Sequence, residues 1–155
     1  MASLAERIRT AALTYSVTAG SPAVTTFPLL NLLGSGSPVI FRWFDTTLVQ
    51  KAAYPSVVMQ EVSNAPSYVY CARLNTSFSR FQFTIWGGQY SVGVTAADQV
   101  SDVLLSFFDQ LNLVGISGLS QYNNIVLSNR RAVFPMTDQP VYQRVMDVRI
   151  FSKDE

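Results

Sequence analysis

Residues 78–111 constrain this chain most. In Phe78-Ser79-Arg80-Phe81-Gln82-Phe83-Thr84-Ile85-Trp86, the residues Phe81, Phe83 and Ile85 alternate with Arg80, Gln82 and Thr84, the two-residue period of a strand buried on one face. Gly87-Gly88 is expected to end it. Between residues 95 and 109, Val100, Val103, Leu104, Phe107 and Phe108, followed by Leu111, recur three and four apart, the spacing of one helical face. A strand face and a helix face of this kind bury each other, so the remaining segments must add to a sheet that already carries a helix.

At the start, Ser3-Leu4-Ala5-Glu6 has the form of a capping box. Leu4, Ile8, Ala11 and Tyr15 follow on one face, which predicts a first helix over residues 4–18, stopped by Gly20-Ser21-Pro22 and set close to a sheet by Ala11 and Ala12. Residues 20–38 hold Pro22, Pro28, Pro38 and Gly34-Ser35-Gly36-Ser37 around Phe27-Pro28-Leu29-Leu30-Asn31-Leu32-Leu33. Two readings stand. The leucines of a long loop tuck onto the chain's own core, or Phe27, Leu29, Leu30, Leu32 and Leu33 form an arm that docks on a neighbouring subunit.

Val39-Ile40-Phe41-Arg42-Trp43-Phe44 reads as a strand, an edge strand if Arg42 points outward. A second strand covers residues 56–62, with Ser63-Asn64-Ala65-Pro66 expected to stop it. Tyr68, Tyr70 and Cys71 then fall in a connector. In the second helix Thr95 is the expected cap and Asp98 lies in the first turn. After Gly115 and Gly118, residues 122–127 form a strand that Ser128-Asn129-Arg130-Arg131 interrupts or bulges before Ala132-Val133-Phe134, and residues 135–140 form a turn. In the last strand, residues 141–151, Tyr142, Met146, Val148 and Ile150 oppose Gln143, Asp147 and Arg149, while Arg144 and Val145 break the alternation. Residues 152–155 read as a frayed tail. The order predicts one α+β domain over residues 1–155: a largely antiparallel sheet of about five strands, two helices on one face, and a polar opposite face.

Chemistry is narrowed mainly by what is missing. The 155 residues contain no histidine, which removes imidazole acid–base chemistry, His-based triads and the usual zinc sites. Cys71 stands alone, so it forms no disulfide within the chain; it is assigned to packing, and a reducing compartment is the simplest inference. The opening residues lack the apolar block of a secretory signal, and no run reaches the ~18–20 apolar residues of a membrane span. Neither Gly34-Ser35-Gly36 nor Gly87-Gly88 has the context of a phosphate or dinucleotide loop. Asp98 and Asp102, four apart, are the only carboxylates whose spacing suggests metal or acid–base work, but two carboxylates without further oxygen ligands make a weak metal site and a solvated helix face is the simpler account; Asp45 and Asp138 have no recognisable partners. Charged residues are 14% and the net charge is +1, so part of the surface is covered by uncharged polar groups or by another protein. The sharpest charge feature is Arg130-Arg131 with Arg144 and Arg149 on the neighbouring strand. It is either a solvated hairpin or a group that, repeated by rotation, lines a ring or contacts an acidic partner.

Several segments in order carry a resemblance: Leu4-Ala5-Glu6-Arg7-Ile8, Tyr54-Pro55-Ser56-Val57-Val58-Met59-Gln60 with Val62-Ser63, Arg80 through Trp86, the helix from Ala96 through Leu104, and Val141 through Phe151. Together they resemble the tail-completion or tail-terminator proteins of long-tailed bacteriophages. The resemblance is a pattern of strands spanning nearly the whole chain, without an active-site motif, and residues 20–38 look longer than the family's usual connector. It implies a small α+β protein, not an enzyme, that needs no cofactor and forms a ring, usually a hexamer, on the last ring of the tail tube. There it stops polymerisation and joins the tail to the head. The implied partners are further copies of itself, the tail tube protein and a head-completion or neck protein, with DNA passing through the lumen, no sequence-specific reading and no membrane. The implied location is the head–tail junction of the virion, and the host cytoplasm during assembly. A head-side neck adaptor or stopper, and a small carboxylate-dependent enzyme, are the other readings the residues leave open.

Overall fold

The computed structural model describes residues 3–45, 54–69, 72–113, 123–134 and 140–153. The expectations for Tyr70, Cys71, Gly115, Gly118, Asp138 and the turn after Phe134 lie outside these residues. Three helices, α1 (Leu4–Thr14), α2 (Pro28–Leu33) and α3 (Tyr90–Leu113), accompany nine strands among the described residues: β1 (Val17–Ala19), β2 (Val24–Thr26), β3 (Gly34–Ser35), β4 (Ile40–Phe41), β5 (Trp43–Asp45), β6 (Ser56–Val69), β7 (Ala72–Gln89), β8 (Asn123–Phe134) and β9 (Val141–Lys153). The main sheet has the order β5-β6-β7-β9-β8. Every pairing is antiparallel except β5 with β6. This is the expected α+β fold, with helices packed against a five-stranded, mostly antiparallel sheet.

The alternation in β7 sets the core. Phe81, Phe83 and Ile85 are fully buried and pair with Val148, Met146 and Arg144 of β9, so one face of the central strands is apolar along most of its length. Val100, Leu104, Phe107 and Phe108 of α3 meet that face, and Phe83 and Phe108 tilt against each other at 5.5 Å. Burying a large aromatic side chain contributes roughly 1.5–3 kcal/mol, so this layer dominates the stability of the domain.

The ends of α3 and β7 differ from expectation. Gly87-Gly88 does not stop β7, which continues to Gln89 with a register shift between Trp86 and Gly88. These glycines are needed for approach. A Cβ on Gly87 would collide with the carbonyl of Gly93, and one on Gly93 with the backbone of Gly88, so strand end and first helical turn lie backbone to backbone. The helix accordingly starts at Tyr90, five residues before Thr95. Thr95 is therefore no cap; its hydroxyl donates to the Ser91 carbonyl inside the helix.

The first helix keeps its capping box, with Ser3 Oγ accepting from the Glu6 amide and Glu6 accepting from the Ser3 amide, but ends at Thr14 rather than at residue 18. It packs on α2, and its Ile8, Ala11 and Ala12 are buried in the core cluster that also holds the apolar residues of the sheet. Residues 20–38 are not a structureless arm: β1 and β2 form a hairpin, α2 holds the leucines, and β3 pairs with β4. Leu29 and Leu33 are fully buried in this chain's own core and Leu30 and Leu32 pack on it, while Phe27 stays exposed.

Arg42 does not point outward from an edge strand. It sits between β4 and β5, buried, and donates to the Pro55 carbonyl at 2.7 Å, the Leu32 carbonyl at 3.0 Å and Ser35 Oγ at 2.7 Å. One guanidinium thus ties α2, β3 and the start of β6 together, and burial lowers its pKa from the ordinary arginine value. The second strand also outruns its expected stop, since β6 passes through Ser63-Asn64-Ala65-Pro66 to Val69 by means of register shifts at Glu61/Ser63 and Pro66/Tyr68. Likewise β8 is one strand through Arg130-Arg131, shifted between Val126 and Ser128.

Candidate interaction surface

The arginines singled out by sequence divide between the two faces of the sheet. Residues two apart on a strand share a face, so Arg144, in phase with Met146, Val148 and Ile150, lies on the helix side. It does not break the alternation. Its Nη1 reaches Asp98 Oδ1 of α3 at 2.9 Å and its Nε reaches Asn129 Oδ1 at 2.8 Å, while Asn129 Nδ2 donates to Ser101 Oγ at 2.9 Å. Arg131, paired with Arg144 across β8 and β9, takes the other oxygen of Asp98 at 2.8 Å. Asp98 therefore serves to hold α3 to the sheet, with both oxygens engaged. Asp102 is exposed on the same helix, and its carbonyl accepts from Ser106. Beside this group Val94, Ala97, Ala132 and Tyr142 line a depression of about 360 Å³.

On the opposite face the order is different. Asp147 accepts from Arg80 at 3.3 Å and from Ser128 Oγ at 3.0 Å, with Arg130 at 3.8 Å. Asp147 is buried although its partners are open to solvent, because the guanidinium groups lie over it. One row further on, Arg149 stacks on Phe78 at 5.4 Å, and Phe78 meets Phe151 at 5.0 Å. Gln60 and Gln82 complete the polar row. Arg80, Arg130 and Arg149 thus face a single carboxylate, an excess of positive charge on a surface that also offers two aromatic rings. Val58 and Val145, paired with Thr84 between them, form a small buried apolar strip on this otherwise polar face.

A third surface lies where α1 meets α2. Arg9, Leu13, Thr14, Phe27, Leu30, Val39 and Phe41 line a depression of about 410 Å³, with Arg9 over the Phe41 ring at 5.6 Å. Exposed Val39, Ile40 and Phe27 lie beside it. Of the segment that sequence offered as an arm, Phe27 and Leu30 line this groove. Spacing alone did not reveal the Arg80–Asp147–Arg130 group, since its members lie on three strands; only the pairing of β7, β9 and β8 brings them together.

Among the described residues no three His, Cys, Asp or Glu side chains cluster as metal ligands, and no described helix is long and apolar enough to cross a membrane. No known family model matches the chain, and no curated protein matches it in sequence.

Proposed function

We propose that this chain is a virion structural protein of the tail-terminator kind, which assembles into a ring on the end of a tail tube, stops its growth and offers the surface to which the head is joined. The observation that carries this reading is the outer face of the sheet. Three helices pack on the other side, while this side presents Arg80, Arg130 and Arg149 against Asp147, interleaved with Gln60 and Gln82. A lumen through which DNA passes requires such a wall: polar, and positive enough to tolerate phosphate without holding it, because each phosphate contact adds salt-dependent affinity. In a ring the modest charge of one copy repeats around the axis as an annulus. The resemblance of the five quoted segments, in their order along the chain, to tail-terminator proteins points to the same reading.

The role sets two requirements. One rim of the ring matches the tube, and the other must not reproduce the tube's own docking surface, or growth would continue. The test is the absolute mass of the purified protein, alone and mixed with tubes assembled from the tail tube protein of the same virion, with tube length measured in parallel. The expected outcome is a closed ring on tube ends and tubes of fixed length. Protein that ignores tubes and binds the head portal instead would move it to a head-side adaptor; binding to neither would remove the reading. In the Arg130→Gln/Arg149→Gln variant rings are expected to form as before, with weaker and less salt-sensitive retention of double-stranded DNA. Unchanged DNA retention would separate the outer face from the lumen.

A further inference from the structure

Arg80 and Arg149 stand directly opposite each other on β7 and β9, two adjacent inner strands of the main sheet. Like charges in that position repel, and the two guanidinium groups take different partners. Arg80 donates to Asp147 at 3.3 Å, while Arg149 lies over the Phe78 ring at 5.4 Å. Arg130 approaches the same Asp147 oxygen to 3.8 Å, beyond hydrogen-bond distance, and that oxygen also accepts from Ser128. Three exposed arginines thus surround one carboxylate, an excess of two positive charges among the described residues of this patch.

The next row along the same two strands is aromatic. Phe78 pairs with Phe151, their ring centroids 5.0 Å apart. Phe78 is 38% exposed on a face that is mostly polar, and Phe151 is half-buried. A cross-strand aromatic pair adds to the stability of a sheet, but full burial on the helix side would add more. Here the two phenyl groups stand beside guanidinium groups instead. Arg149, lying over Phe78, presents a further planar surface, since nucleobases stack on guanidinium planes as well as on aromatic side chains.

We infer that this part of the outer face binds single-stranded nucleic acid, with its phosphates held by Arg80, Arg130 and Arg149 and its unstacked bases lying on Phe78, Phe151 and the Arg149 guanidinium. The excess of positive charge selects a polyanion. The phenyl groups select one that carries a planar apolar group at every charged unit, which a run of acidic side chains lacks. A duplex offers this face its phosphates alone, because its base planes are stacked on one another inside the helix, so Phe78 and Phe151 gain nothing from it. Stacking is tolerant of sequence, and the patch needs no base-reading set of side chains. The inference rests on the reading that the outer face meets nucleic acid and adds which form is held: duplex passes, and a single-stranded stretch is retained.

The experiment is fluorescence anisotropy of the full chain with labelled oligo-dT of about 16 nucleotides, the same strand annealed to oligo-dA, and oligo-U of equal length. At about 0.15 M salt the parent is expected to bind the single strand more tightly than the duplex. Phe78→Leu/Phe151→Leu keeps apolar bulk and removes both aromatic planes; it is expected to lower the ratio of single-strand to duplex affinity about tenfold. Arg149→Gln is expected to lower the slope of log affinity against log salt for the single strand by about 0.7. Equal binding of oligo-U and oligo-dT would support a site blind to the sugar, and preference for one would name the strand it takes. A parent that binds duplex as tightly as single strand, or a folded leucine variant with an unchanged ratio, would overturn the inference. Poly-glutamate bound as tightly as oligo-dT would also overturn it and assign the patch to an acidic protein. Where melting curves show that the double variant has lost its fold, Phe78→Leu alone is read in its place, and an unchanged ratio there overturns the inference equally. Assemblies that cap tubes while the ratio stays unchanged would keep the tail role and discard this site. A ratio that falls in protein that ignores tubes would keep the site and discard the tail role.

Discussion

The two faces of the sheet are built from the same strands and hold together by different means. On the helix side Phe81, Phe83, Met146, Val148 and Ile150 are sealed beneath α3, and their contribution follows from apolar area removed from water. On the far side, one residue along, Arg80, Gln82 and Arg149 meet solvent, and Asp147 is buried beneath the guanidinium groups over it. The lesson is a division of labour within a single alternation: the first face makes the domain stable, and the second is free to carry charge that stability does not require. Substitutions on the two faces should therefore be felt in different measurements.

The largest effect is expected at the centre of the apolar side. Phe83 is fully buried between Trp43, Phe81 and Phe108, and Phe83→Ala removes its transfer energy and leaves a cavity, a loss of about 3–5 kcal/mol. Denaturant unfolding would read this as a lower midpoint at unchanged slope. A cost under about 1 kcal/mol would mean that the helix layer does not dominate the fold.

Much of that side was legible in the sequence, because a two-residue period and a three-to-four-residue period are local signals. The strand from Phe78 to Trp86, the helix around Val100 to Phe108 and the α+β class follow from them directly. Element ends were not legible. Thr95 has the chemistry of a cap, yet the close approach of Gly87 and Gly93 starts α3 a turn earlier. Ser63-Asn64-Ala65-Pro66 looks like a stop, yet β7 supplies a partner along the hairpin, and Pro66 is tolerated where, among the described residues, β6 has no strand on its outer side. Residues 20–38 read as loop because a six-residue helix is not stable locally; burial of Leu29 and Leu33 stabilises it. Arg42 reads as an outward edge charge, and only the fold supplies the three acceptors that draw it in. The candidate site was half legible. Arg130 and Arg131 stand out by clustering, but which face each takes depends on the bulge in β8 and on its pairing with β9.

A smaller effect, and one of opposite sign in two assays, is expected on the polar side. Asp147→Ala removes the acceptor shared by Arg80 and Ser128 and leaves Arg130 without its nearest carboxylate. Hydrogen bonds to a charged group contribute about 1.5–3 kcal/mol, but Arg80 and Arg130 are about half exposed, so solvent screening reduces the expected loss to about 1–2 kcal/mol. The same change raises the positive excess of the face, so retention of double-stranded DNA should strengthen at low salt and lose the gain as salt rises. A variant that is destabilised but binds DNA no better would show that this face meets something other than phosphate.

The smallest effect near neutral pH belongs to Tyr15, at the margin of the apolar side, where its ring meets Phe107 edge-on at 5.5 Å. Burial, and then the negative charge of Asp109, raises its pKa above the usual tyrosine value. The folded state therefore holds its phenolic proton at a pH where the unfolded chain, with a pKa of about 10, gives it up. The contribution of Tyr15 is fully present below that unfolded value and is lost as pH rises from there toward the folded one, because the unfolded state then binds fewer protons than the native state. Tyr15→Phe keeps the ring and removes the proton. Its stability is expected to match the parent at pH 7 within about 0.5 kcal/mol and to fall less steeply than the parent's above about pH 10. Equal slopes for the two proteins would mean that the hydroxyl of Tyr15 reaches water, and that the apolar side ends one residue short of it.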